Sequence, residues 1–141
     1  MNTVLVEKNA IEEVAKLVSD NQVVAFPTET VFGLGIKFGS YEALNSLYEL
    51  KHRDRHKAIS MMISNPKDIE KYAYVNDQAR KIIKSFMPGM VTIILKKRKF
   101  IDDYFTASLD TIGIRIPDDK FVLSLLEKTG PMLVTSANLS G

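Results

Sequence analysis

Apolar residues recur along the chain in two alternating rhythms. Ile11, Val14, Leu17 and Val18 return at helical intervals, and Asn9 with Glu12 has capping-box spacing, so residues 10–19 are predicted to form an amphipathic helix ended by Asp20 and Asn21. Val23-Val24-Ala25-Phe26 is short, apolar and partly β-branched, the pattern of a buried strand, and Pro27 stops it because it has no N–H for a ladder. Ser40 is placed to cap a helix in which Leu44, Leu47 and Tyr48 share a face. Further strands are predicted over 59–63, 91–95, 112–116 and 132–135, and further helices over 67–73 and 77–86. A last helix opens at Asp118, carries Phe121, Val122, Leu125 and Leu126, and stops at Gly130. The strand at 91–95 is apolar apart from Thr92, and Pro88-Gly89 punctuates between it and the preceding helix. Strands and helices alternate, which predicts an α/β domain with a largely buried, partly parallel sheet.

Composition narrows the class without changing it. The chain has 141 residues, 45% hydrophobic and 26% charged, with no linker or low-complexity segment, so one domain is expected over 1–141. It contains no cysteine, which removes thiol nucleophiles, thiolate zinc sites and disulfides and suits a reducing compartment. No apolar run approaches the ~20 residues of a bilayer span, and residues 1–9 lack the pattern of a signal peptide. A cytoplasmic protein without membrane contact is expected. The net charge is only +2, so basic character must be local, in the runs Lys51-His52-Arg53-Asp54-Arg55-His56-Lys57 and Lys96-Lys97-Arg98-Lys99.

Several reaction classes find no support. Gly33-Leu34-Gly35 begins like a dinucleotide fingerprint, but Phe38 stands where the third glycine belongs, and a turn explains the glycines as well. Neither a Gly-Lys-Ser/Thr phosphate loop nor a Gly-x-Ser-x-Gly elbow occurs. His52 and His56 have a spacing suited to one helix face, yet the cations around them oppose a divalent metal. If the first basic run is extended, Lys51, Arg53, Arg55 and Lys57 point to one side as a comb suited to a polyphosphate; a solvated loop fits the same spacing. Ser136 and Asn138 after the final strand could orient phosphate or ribose, or simply form a turn. Thr28-Glu29-Thr30 stands at the end of a presumed central strand, where open α/β sheets bind ligands.

Taken in order, several segments resemble one family. Pro27-Thr28-Glu29-Thr30-Val31-Phe32-Gly33-Leu34-Gly35, Leu50-Lys51-His52-Arg53, Pro88-Gly89-Met90-Val91-Thr92, Arg115-Ile116-Pro117 and Thr135-Ser136-Ala137-Asn138-Leu139-Ser140-Gly141 are similar to the YrdC/TsaC family of threonylcarbamoyl-AMP synthases. The resemblance implies an open twisted mixed sheet flanked by helices, with strands beyond residue 141 expected to complete the domain. It also implies synthesis of threonylcarbamoyl-AMP and pyrophosphate from L-threonine, bicarbonate and ATP, for modification of a tRNA adenosine by downstream threonylcarbamoyl-transfer proteins. The family's Lys-x-Arg and Ser-x-Asn tetrad falls on Lys51, Arg53, Ser136 and Asn138. By the same resemblance Thr28 and Arg115 would hold L-threonine, and Lys51, Arg55, Thr111 and Ser136 would contact ATP, with Lys57 a further cation for its phosphates. Magnesium is expected to arrive with the nucleotide rather than in a protein cage.

Two positions depart from the family pattern. Asp54 stands where Pro is usual, which predicts a looser and less cationic loop, and Met90 replaces the second proline of Pro-Gly-Pro. Because Lys51 lies in a charge-rich segment, its loss is expected to damage catalysis far more than folding. The resemblance also implies a concave basic surface suited to double-stranded RNA or tRNA, which Lys96-Lys97-Arg98-Lys99 would extend, so a binding module of that kind is the alternative reading. A carbamoyl-transfer domain of a hydrogenase-maturation protein is the third, opposed by the short, cysteine-free chain.

Overall fold

The computed structural model describes residues 3–5, 10–28 and 32–137, the first of these as backbone. Seven strands form one mixed sheet: β1 (Thr3–Leu5), β2 (Val23–Pro27), β3 (Phe32–Lys37), β4 (Ser60–Met62), β5 (Ile93–Lys96), β6 (Thr111–Arg115) and β7 (Met132–Ser136). Their spatial order is β1-β2-β3-β7-β4-β6-β5. The β1–β2 and β4–β6 pairs are parallel and the other four are antiparallel, so the partly parallel sheet expected from the alternation is more antiparallel than parallel.

Helices cover both faces because the strands alternate. Leu34, Ile36, Met61, Ile112, Ile114 and Leu133 point to a core closed by α2 (Tyr41–Lys51), α3 (Ile69–Tyr72) and α4 (Asp77–Phe86). Val24, Phe26, Met62, Met132 and Val134 point the other way, under α1 (Ile11–Ser19) and α5 (Lys120–Thr129). Burying one such Leu or Ile side chain contributes about 1.5–3 kcal/mol, and the two faces share the load. Ser40, Asn76 and Asp119 cap α2, α4 and α5 through side-chain oxygens that accept from the N–H groups of Ala43, Ala79 and Val122.

Several expectations need correction. The Gly33-Leu34-Gly35 segment is the middle of a central strand, paired with β2 and β7, and not a turn. Gly35 faces the α1/α5 core, where a Cβ would come within 2.7 Å of Met132 Cε and 2.8 Å of Phe26 Cε1; the neighbouring side chains already fill its place. The strand expected over 91–95 is β5, Ile93–Lys96, and it departs from the largely buried sheet expected: it stands at the end of the strand order, with Ile94 69% exposed. The helix expected at 67–73 is split into a 3-10 turn, Pro66–Asp68, and the short α3. Asp119, not Asp118, caps α5. Helix α1 begins after Ala10 without a side-chain cap, and the Asn9 half of the expected capping box lies outside the described residues.

Candidate functional site

Helices α1 and α5 leave one end of their sheet face uncovered, and a pocket of about 200 Å³ lies there. Gly33, Met62 and Val134 line it from three different strands, and Thr28 and Phe32 flank it at the β2–β3 end. Gly33 sets its depth: a Cβ there would meet Val134 Cγ1 at 3.1 Å and Thr28 Cγ2 at 3.3 Å. Arg115 and Ser136 supply polar groups to the same pocket, from the last residues of β6 and β7. The structure therefore gathers Thr28, Arg115 and Ser136 from strands far apart in sequence.

Arg115 is fixed in place by a turn. Its Nε donates to the Gly89 carbonyl at 3.1 Å, and the Gly89 N–H donates to the Ile116 carbonyl at 2.9 Å, so residues 87–89, which include a cis Met87–Pro88 bond, are seated on the end of β6. Gly89 is required there, since a Cβ would lie 2.7 Å from the Phe86 carbonyl oxygen. Burial pushes the Arg115 guanidinium below its ordinary pKa. A cation partly stripped of water favours an anionic ligand such as a carboxylate.

Lys51 reaches the site from the other side of the sheet. It is the last residue of α2, only 3% exposed, and its Nζ donates to the Ser136 carbonyl at 2.7 Å. Burial first, and the Arg53 charge second, lower its pKa. The expectation of a side chain set in a charge-rich surface segment is thereby corrected: this ammonium is packed inside and joins α2 to the end of β7.

The rest of the basic run is not an extended comb. His52 ends α2 in the left-handed region, at φ 52°, and the chain turns back on itself. Arg53 Nε and Nη2 donate to the carbonyls of Lys57 and Ala58 at 3.2 and 3.0 Å, and Tyr48 Oη donates to the same Lys57 carbonyl at 2.7 Å. Arg55 donates to Asn45 Oδ1 at 2.7 Å and lies over the Tyr48 ring, 5.0 Å from its centroid. Asp54 does not loosen this turn as expected. Its Oδ1 accepts from the His56 N–H at 2.8 Å, its carbonyl accepts from the Lys57 N–H at 3.0 Å, and these contacts hold the loop as a proline's fixed φ would. Lys57 is exposed at the end of the turn.

Other sequence-predicted residues fall outside the pocket walls. Thr111 begins β6 opposite Lys96 of β5, on the same face as Gly113 and Arg115. Glu29, Thr30 and Asn138 lie outside the described residues. No group of three or more His, Cys, Asp or Glu side chains placed to hold a metal occurs among the described residues. The second basic cluster is also broken up. Lys97 is buried, donating to Asp103 Oδ1 and to Thr106 Oγ1 at 2.8 Å, and Arg98 donates to the Glu70 carbonyl at 2.9 Å. Lys97 is therefore withdrawn from the expected RNA surface, leaving Lys96 and Lys99 exposed. Sequence reasoning missed Gly33, Met62 and Tyr48; alternation of Gly33 and Gly35 with Leu34 and Ile36 was the available signal for the first.

A mixed sheet flanked by helices, with a pocket on one face into which one guanidinium is set, defines an α/β domain. The chain belongs to the Sua5/YciO/YrdC family, whose model, described as "Telomere recombination", matches residues 16–141. A Methanocaldococcus jannaschii protein, named provisionally as a threonylcarbamoyl-AMP synthase, is 40% identical over 134 residues, covering 95% of this chain and 63% of that relative. The Bacillus subtilis threonylcarbamoyl-AMP synthase is 37% identical over 134 residues, covering 93% of this chain and 39% of its own length. The crystal structure of P. abyssi Sua5 complexed with L-threonine matches with a TM-score of 0.90 at 31% identity, over 100% of this chain and 43% of that one. The chain thus spans between about two fifths and two thirds of these relatives.

Proposed function

We propose that this chain carries the active site of a threonylcarbamoyl-AMP synthase, which joins L-threonine, bicarbonate and ATP and releases pyrophosphate. The observation that carries this reading is the 200 Å³ pocket that collects Thr28, Arg115 and Ser136, with the Lys51 ammonium bound to the carbonyl of Ser136. Arg115 would pair with the carboxylate of threonine and Thr28 would contact its polar groups. The amine then adds to bicarbonate-derived carbon dioxide, giving a carbamate and releasing a proton. A carbamate oxygen attacks the α-phosphorus of ATP, which arrives as its magnesium complex, and the bond to pyrophosphate breaks.

This chemistry asks for positioning and positive charge, not for a thiol or a serine triad. Lys51 supplies charge at the end of β7, and Lys57 and Arg55 stand on the neighbouring turn as candidates for the phosphates. Arg53 acts by holding the Lys57 and Ala58 carbonyls, so it is a positioning residue for that turn. Thr111 and Asn138 would complete the nucleotide side. The product would pass to threonylcarbamoyl-transfer proteins that act on tRNA, and weak RNA contact through 96–99 would rest on Lys96 and Lys99.

The test is pyrophosphate release from ATP by the purified chain. Release is expected only when L-threonine and bicarbonate are both present. Undiminished release without threonine would overturn the reading.

A further inference from the structure

A second groove on the described surface lies away from the candidate site. It holds about 610 Å³, within the range of small-ligand sites, and is formed where the 3-10 turn Pro66–Asp68 faces α4. Its floor is apolar, made by Val75, Ile83 and Met87, the last two almost fully buried. Its rim is cationic. Lys67 stands on the turn, and Arg80 and Lys84 on α4. Glu70 is the one acid in the lining, and it is paired with Arg80 at 2.6 Å. Lys67 and Lys84 have no acidic partner among the described residues.

An apolar floor beneath two uncompensated lysines is complementary to a ligand with an apolar body and an anionic head. The floor also connects to the site described above. Met87 is joined through Pro88 to Gly89, whose carbonyl accepts from Arg115 Nε and whose N–H is bound to Ile116. A ligand packed on Met87 therefore presses on the segment that aims the Arg115 guanidinium.

We propose that this groove is a second binding site, for a small amphipathic anion, and that its occupancy is sensed at Arg115 through residues 87–89. The inference stands on the groove and on the Gly89–Arg115 hydrogen bond, whichever reaction the pocket performs.

Octanoate is a suitable probe and octanamide, with the same tail and no charge, its control. Both are titrated into the chain carrying labelled methyl groups, and the Val75, Ile83 and Met87 methyls and the Arg115 Nε–H are followed by NMR. Octanoate is expected to shift all of these saturably and with one dissociation constant, more tightly than octanamide. Lys67→Gln/Lys84→Gln should weaken octanoate about tenfold, the effect of losing two exposed ion pairs, and leave octanamide unchanged. Equal binding of the two probes, no saturable shift, or an Arg115 resonance that stays still while the methyl groups saturate would each overturn the proposal.

Discussion

Replacing Lys51 by Ala separates a packed ammonium from a solvated one. The side chain is 3% exposed and its Nζ lies 2.7 Å from the Ser136 carbonyl oxygen. Truncation removes three buried methylenes, a transfer loss of about 2.4 kcal/mol at ~0.8 kcal/mol each. Leaving the carbonyl without its donor adds about 1–3 kcal/mol, while release of a charge that burial disfavours offsets part of the sum. A net destabilisation of about 2–4 kcal/mol is expected, against ~0.5 kcal/mol or less for a surface lysine. Urea unfolding measures it directly: with m near 2 kcal/mol/M, the midpoint should fall by about 1–2 M. Lys51→Met keeps the stem and should recover most of the methylene part, leaving about 1–3 kcal/mol for the lost donor. The pH dependence has a defined sign. Because the folded pKa is lowered, the unfolded chain binds the proton more tightly just below the ordinary lysine value, so wild-type stability rises with pH through that window and the deficit of Lys51→Met grows with it. An Ala variant within ~0.5 kcal/mol of wild type would show that Lys51 is solvated and that its bond to Ser136 does not hold the site together.

Other perturbations have equally specific outcomes. Gly35→Ala places a Cβ 2.8 Å from Cε1 and 3.2 Å from Cζ of the buried Phe26 ring, and should cost about 1–3 kcal/mol of unfolding free energy, measured by denaturant titration. Asp54 has its pKa lowered, first by the His56 backbone N–H and then by the His56 ring, so its contribution to stability is present above the ordinary Asp value and is lost as pH falls through the folded pKa; the thermal-midpoint gap between wild type and Asp54→Asn should be constant near neutrality and close in acid. Lys97→Gln should lower the unfolding midpoint, because it breaks a buried ammonium's bonds to Asp103 and Thr106, whereas Lys96→Gln/Lys99→Gln should leave it unchanged. Under the proposed function, Arg115→Lys keeps a charge but loses the planar fork that would pair with the carboxylate of L-threonine, and calorimetry should read an affinity for it lower by about tenfold or more.

What the sequence disclosed follows from where its physical signals are local. Helix α4 runs over Asp77–Phe86 as expected because an Asn cap and a strong apolar stripe act within one segment. Strand β3 escaped because one of its faces consists of glycine: Leu34 and Ile36 mark the first core, but Gly33 and Gly35 erase the other half of the alternation. The apolar run around β5 did mark a strand but not its place, since composition does not distinguish a central strand from an edge strand and only the sheet order does. The pocket residues illustrate the same limit. Thr28, Arg115 and Ser136 belong to no common motif, so spacing could not unite them; the family resemblance named them, and the register of β3, β7, β4 and β6 explains why they meet.

The basic run after α2 shows how a charge pattern changes meaning once the backbone direction is known. Alternating cations would act alike only on an extended chain, and His52 in the left-handed region prevents that extension. Each cation then meets a different environment. Lys51 turns inward to the Ser136 carbonyl, Arg53 binds the backbone four and five residues ahead of it, and Arg55 stacks on Tyr48, which itself holds the Lys57 carbonyl. Tyr48 and Arg53 thus grip one carbonyl from two sides, and Asp54 closes the turn between them. Two of the turn's cations, Arg53 and Arg55, are thereby held in place by protein acceptors, and Lys57 stands exposed. The backbone of the turn is held by a tyrosine hydroxyl and an aspartate that no count of positive charges would single out, while the Arg53 and Arg55 side chains are ordered by the Lys57 and Ala58 carbonyls and by Asn45. Under the proposed function this preorganisation would spare a phosphate ligand part of the cost of ordering them.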